Sequence, residues 1–145
     1  MSSEGFDWKF LQQWVKFTDE ELEIFKSDPR RAKAAQRMMG SPGFEKKWLI
    51  VEVVSSENCR AKLKPGDRLL FKACSVLDLK RSAPWCIMAM ANIDIVAGIS
   101  HDRWVSGLDL KELSFDHLSC VDCGVKDGGR GRVAMKAYVK DEDEL

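Results

Sequence analysis

Between Phe6 and Met39 the apolar side chains recur at intervals of three and four, and beyond Trp48 that rhythm gives way to continuous or alternating runs. Phe6, Phe10, Trp14 and Phe17, with Trp8, Leu11 and Val15 widening the stripe, predict a first amphipathic helix. Thr18-Asp19-Glu20-Glu21 has the form of a capping box: Thr18 accepts from the backbone N–H of Glu21 while Glu21 reaches back. Its three acids also suit the positive end of a helix dipole. The second helix that starts there carries Leu22, Ile24 and Phe25. Asp28 as N-cap and Pro29 at the first helical position open a third, Arg30 to Met39, closed by Gly40 and a Ser41-Pro42-Gly43 turn.

The β-branched run Trp48 to Val54 predicts a buried strand, and Lys64-Pro65-Gly66-Asp67 a turn into a second strand, Arg68 to Ala73. The most apolar window, Pro84 to Ile99, contains Asn92 and Asp94 and reads as a buried helix, with Ser82 as its cap and Gly98 at its close. Asp127-Gly128-Gly129 is a hairpin-type turn into a last strand, Arg132 to Val139, where Val133, Met135 and Ala137 alternate with Ala134, Lys136 and Tyr138. The expected architecture is therefore α+β. A three-helix arm over residues 1–47 precedes a small mixed domain over 48–140, with a mainly antiparallel sheet and one buried apolar helix. A solvated acidic tail, 141–145, follows.

Composition changes this picture in two respects. The 145 residues carry 23 basic and 23 acidic groups, which argues against a general nucleic-acid binder. That neutrality hides alternating blocks: 1–28 has 3 basic and 7 acidic groups, whereas 29–47 has 6 and 1. Arg30, Arg31, Lys33 and Arg37 give the third helix a basic face, suited to phosphate, to an acidic partner, or simply to solvent. The first ten residues lack a signal-peptide core, and no stretch reaches the ~20 apolar residues of a membrane span. A cytoplasmic setting is the expectation, where five cysteines serve as thiols or ligands rather than as disulfides.

Cys120-Val121-Asp122-Cys123 is a C-x-x-C, a spacing that lets two thiolates chelate one metal ion from a turn. A tetrahedral zinc or iron site needs two further ligands, with Cys59, Cys74, Cys86, His101 and His117 as candidates. The ordinary alternative is a set of buried or half-buried thiols. His101, Asp109 and Asp122 have the chemistry of acid/base groups, with Asp67 more distant, although helix-exit loops carry such residues for solvation alone. A Ser/His/Asp order, a phosphate loop and a dinucleotide fingerprint are all missing from the sequence.

Residues 51–139 resemble a family of small uncharacterised prokaryotic proteins with the pattern G-x-C-x-x-G-x-K-x-G-D, then C-P-W-A, then C-P-D. The matching pieces are Asn58-Cys59 with Lys64-Pro65-Gly66-Asp67, then Ala83-Pro84-Trp85-Cys86, then Cys120-Val121-Asp122. This chain has Ala83 where the family has a cysteine. If the family's cysteines converge on a metal, that change shifts a ligand to Cys86 or Cys123. The resemblance implies a fold and a cysteine cluster, and no reaction.

Two functional expectations follow. The first is an accessory subunit that docks on a larger, catabolic enzyme, or on further copies of itself, through its aromatic helical arm. The second is a metal-dependent lyase, isomerase or hydrolase. Its metal would be held by Cys59, Cys86, His117, Cys120 and Cys123, with His101, Asp109 and Asp122 moving protons.

Overall fold

A computed structural model describes residues 6–40 and 43–145, in two compact units, 1–44 and 45–145. The fold is α+β, with the three expected N-terminal helices and an antiparallel sheet. In the first unit, α1 spans Trp8–Val15, α2 spans Asp19–Ser27 and α3 spans Pro29–Gly40. The capping box forms as expected: the Glu21 N–H donates to Thr18 Oγ1 at 3.2 Å and the Thr18 N–H to Glu21 Oε2 at 2.8 Å. Asp28 accepts from the Arg30 N–H at 2.9 Å and so caps α3. The Ser41-Pro42 part of the expected turn lies outside the described residues.

The aromatic stripe divides differently from its periodicity. Lys16 takes a left-handed conformation (φ 64°) and ends α1 before Phe17. Leu11 is then the buried position of α1, while Phe10 and Trp14 stay 55% and 65% exposed. Phe17 leaves the helix and packs its ring against Phe25 of α2, centroids 5.4 Å apart.

The second unit holds a five-stranded sheet, β1 (Lys47–Glu57), β2 (Arg68–Lys72), β3 (Val76–Leu77), β4 (His117–Ser119) and β5 (Arg132–Asp141), in the order β3-β2-β1-β5-β4. Every pairing is antiparallel. Register places Leu49, Val51 and Val53 beside Leu69 and Phe71 on one side and Met135, Ala137 and Val139 on the other, all on one face. These residues are buried, which makes that face the core. A bulge at Val54 breaks the ladder between Val53 and Ser55 and leaves Val54 half exposed.

The apolar helix, α4, spans Ile87–Ser106, so its expected limits shift along the chain. Cys86 is its N-cap residue and Gly107, at φ 75°, ends it; Gly98 lies inside. Ser82 has another task, since its Oγ accepts from the Leu70 N–H at 2.9 Å along the outer edge of β2. The helix is only half buried. Ala89, Ile93, Val96 and Ser100 form the inner stripe, whereas Ile87, Met88 and Ile95 face outward. Hydrophobicity along the sequence cannot separate those two sides, because both are apolar.

Strand β3 has no sequence signal: it follows a turn in which Ala73 (φ 47°) and Cys74 (φ 54°) adopt a backbone normally left to glycine and asparagine. The acidic tail, exposed over residues 142–145 as expected, is tied down by ion pairs. Asp141 belongs to β5 and accepts from Lys47 Nζ at 2.6 Å, while Lys111 Nζ reaches Asp141 and Glu144 at 3.1 and 2.9 Å. Among the described residues no helix is long and apolar enough to cross a membrane.

Candidate functional site

Sheet register sends two of the cysteine-bearing segments out of the same end of the second unit. Strand β1 ends at Glu57 opposite Arg132, where β5 begins, and β4 ends at Ser119 opposite Ala134. Cys59 and the Cys120–Cys123 segment therefore leave the sheet at the same end. Cys86 joins them, since the Val121 N–H donates to the carbonyl of Met88, two residues into α4 from Cys86, at 3.0 Å.

The loop from 120 to 131 is organised around the Asp122 carboxylate. It accepts from the backbone N–H groups of Gly124 at 3.0 Å, Arg130 at 2.9 Å and Gly131 at 3.1 Å. Those three donors hold its carboxyl below the usual carboxylate range. Gly129 passes so close that a Cβ there would overlap the carboxylate and come within 3.1 Å of Cys123 Sγ. Cys120 is buried, its sulfur accepting from the Val133 N–H at 3.2 Å; exposed Cys123 donates to the Asp127 carbonyl, also at 3.2 Å. A cavity of about 300 Å³ is lined by Cys120, Asp122, Cys123, Asp127 and Arg132, among others.

The remaining candidate ligands do not complete this site. Cys59 and Cys86 do not line the cavity, and His117, on β4 opposite Lys136, turns its Nδ1 to Asp116 at 2.6 Å while staying exposed. Among the described residues no group of three or more His, Cys, Asp or Glu is placed to hold a metal ion. The physical reason is local: a C-x-x-C turn brings two thiols near each other, but β1, α4 and β4 direct the other ligands independently. Cys74 is a core side chain, and burial pushes its thiol up to about 12.

The acid/base candidates also occupy separate structural posts. His101 Nδ1 lies 2.8 Å from the Ala97 carbonyl one helical turn back. Asp109 accepts from the Lys111 N–H at 2.9 Å, and its own carbonyl accepts from Arg103 Nε at 2.8 Å. Asp67 accepts from the Lys64 N–H at 2.8 Å and closes the turn before β2. Asp67, Asp109 and Asp122 thus each stabilise a loop backbone, the familiar use of short carboxylates at turns.

A second cavity, also about 300 Å³, was not anticipated from sequence. It lies on the sheet face opposite the core and is lined by Ile50, Arg68, Leu70, Arg81, Lys140 and Leu145. The signal for it is the alternation Arg68-Leu69-Leu70-Phe71-Lys72 in β2 and Lys136-Ala137-Tyr138-Val139-Lys140 in β5, which sends cations to one face. Finding it requires the register that sets Ile50 between Leu70 and Tyr138.

Large apolar side chains also remain open to solvent. In the first unit they are Phe10, Trp14, Val15 and Ile24; in the second they include Trp85, Ile87, Met88 and Ile95 around the start and outer side of α4. No family model, curated protein or solved structure matches this chain.

Proposed function

We propose that this chain is a protein-docking subunit whose working surface is the α1–α2 arm, with a larger enzyme, of catabolic type, as the partner. The observation that carries this reading is the exposure of Phe10 at 55%, Trp14 at 65% and Ile24 at 57% within one small helical unit. Phe10 and Trp14 stand one turn apart on the same side of α1, so they offer a continuous aromatic strip rather than scattered single residues. A unit of 44 residues is also near the lower limit of what folds unaided, so burial of that strip on a partner would add to its stability. Large aromatics are the side chains that most often anchor protein interfaces. The acids of α2 and the cations of α3 give the same unit blocks of opposite charge, which would orient a partner as it arrives.

The test compares the chain with a Phe10→Ser/Trp14→Ser double variant in cells of the native host. The expected outcome is co-purification of a defined, larger partner at fixed stoichiometry with the unaltered chain, lost in the variant while its circular dichroism stays native. Equal recovery of the partner by both proteins, or a chain that remains monomeric and alone in both, would overturn the reading.

A further inference from the structure

We infer that the sheet face opposite the core holds a binding site for a small organic anion, a monocarboxylate with an apolar body. The floor of the cavity is apolar: Ile50 of β1 and Leu70 of β2 are cross-strand partners and nearly fully buried, and Leu145 adds to the wall. The remaining lining residues are three cations, Arg68, Arg81 and Lys140, and among the described residues no aspartate or glutamate lines the cavity, although Glu52 and Asp78 pair with the two arginines from beside it.

Both guanidinium groups are positioned from outside the cavity. Glu52 Oε2 holds Arg68 through Nε at 2.9 Å and is itself fixed by the Tyr138 hydroxyl at 2.7 Å. Asp78 Oδ2 holds Arg81 through Nε at 2.8 Å, and the Arg81 guanidinium lies 4.4 Å from the centre of the Trp48 ring. These bonds use the inner nitrogen of each fork and leave the outer pair unused. That is the arrangement a carboxylate needs for paired N–H donors. Lys140 Nζ is steadied by the Glu144 carbonyl at 3.1 Å. The Trp48 indole N–H is buried with no acceptor among the described residues.

Size and composition select the ligand class. A cavity of about 300 Å³ lies at the small end of the range for small-molecule pockets. An aliphatic acid of eight carbons or an aryl acid of similar bulk suits a cavity of that size. Its body would lie against Leu145, the exposed apolar wall, while its carboxylate meets the arginines above the buried Ile50–Leu70 floor, which keeps water away beneath and strengthens the attraction. Inorganic phosphate would satisfy the cations but make no use of the apolar Leu145 wall. A nucleic-acid strand would need open aromatic faces, but the Trp48 ring is covered by Arg81 and the Tyr138 hydroxyl is tied to Glu52.

The experiment titrates octanoate, octan-1-ol and inorganic phosphate into the full chain, read by calorimetry and by Trp fluorescence. Saturable, one-to-one octanoate binding is expected, weakening as salt is raised, with octan-1-ol and phosphate each at least tenfold weaker. Arg81→Gln is expected to weaken octanoate at least tenfold. Because Arg81 also stacks on Trp48, Lys140→Gln serves as a second variant that leaves that contact in place, and it too should weaken octanoate. Equal binding of octan-1-ol would reduce the site to a greasy surface, and equal binding of phosphate to a bare cation cluster. Either result overturns the inference, as does the absence of saturable octanoate binding by a chain with native circular dichroism.

Discussion

Replacing Gly131 with alanine tests how the cysteine-bearing loop is held against the end of β1. Gly131 lies outside the left-handed region, so an alanine there meets no conformational penalty of its own. If backbone freedom were the only consideration, Gly131→Ala would stabilise the fold by about 0.4–1 kcal/mol through the unfolded chain. Packing points the other way. A Cβ at this position would sit 2.6 Å from the Asn58 carbonyl oxygen and 2.7 Å from that of Glu57, and both are backbone atoms that cannot swing aside. Ordinary C···O contacts lie at about 3.3–3.6 Å, so an overlap of roughly 0.7 Å must be relieved by moving the loop or the start of β5. Overpacking of this kind costs about 1–3 kcal/mol and outweighs the entropic gain. At roughly 2.1 cal/mol/K per residue of unfolding entropy, each kcal/mol corresponds to about 3 °C for a chain of this length. Urea titration followed by intrinsic fluorescence should show a lower midpoint at unchanged slope, and thermal unfolding a drop of about 3–9 °C. Gly98→Ala is the internal control. Gly98 lies inside α4 with nothing within 4 Å of an added Cβ, so the same change there should stabilise by about 0.5–1 kcal/mol. A Gly131→Ala midpoint equal to or above the unaltered chain's would refute the account of a close backbone approach.

Three further outcomes are expected. Asp122→Asn should lower stability near neutral pH. The Asp122 carboxyl titrates below its ordinary value in the folded state, so its contribution is present above the unfolded value of 3.8 and is lost as pH falls through the folded one. The gap between variant and unaltered chain should therefore close in acid; a gap independent of pH would count against the three-amide cradle. Thiol labelling followed by peptide mapping should separate exposed Cys123, modified first, from Cys74, whose burial and thiol pKa of about 12 leave it unmodified until the chain unfolds; comparable rates for the two would contradict this placement. Thr18→Ala removes one half of a complete capping box and should cost about 1 kcal/mol, measured by the same urea titration, with no change taken as evidence that α2 is capped otherwise.

What the amino-acid order determines here is what depends on near neighbours. Thr18 and Glu21 are three residues apart, Asp28 and Pro29 are adjacent, and Val133, Met135 and Ala137 alternate within one strand; each pattern specifies its local geometry without reference to the rest of the chain. The antiparallel α+β architecture follows from such signals taken together. The C-x-x-C was legible for the same reason, whereas the departure of Cys59, Cys120 and Cys123 from one end of the sheet follows from register between distant strands. Tertiary structure decided the features that join distant segments. Register alone sends Arg68 and Lys140 to the same face as Ile50, and Arg81 reaches that face from the segment after β3. Asp122 looked like an acid/base group until the loop folded Gly124, Arg130 and Gly131 around it. The two sides of α4 are both apolar in sequence, and only the packing of Ala89, Ile93 and Val96 distinguishes inside from outside. The aromatic stripe of the arm was cut by the left-handed turn at Lys16, which leaves Phe10 and Trp14 open while Phe17 packs on Phe25. Periodicity along a chain ranks side chains by face, but a face becomes core or surface only when another element covers it.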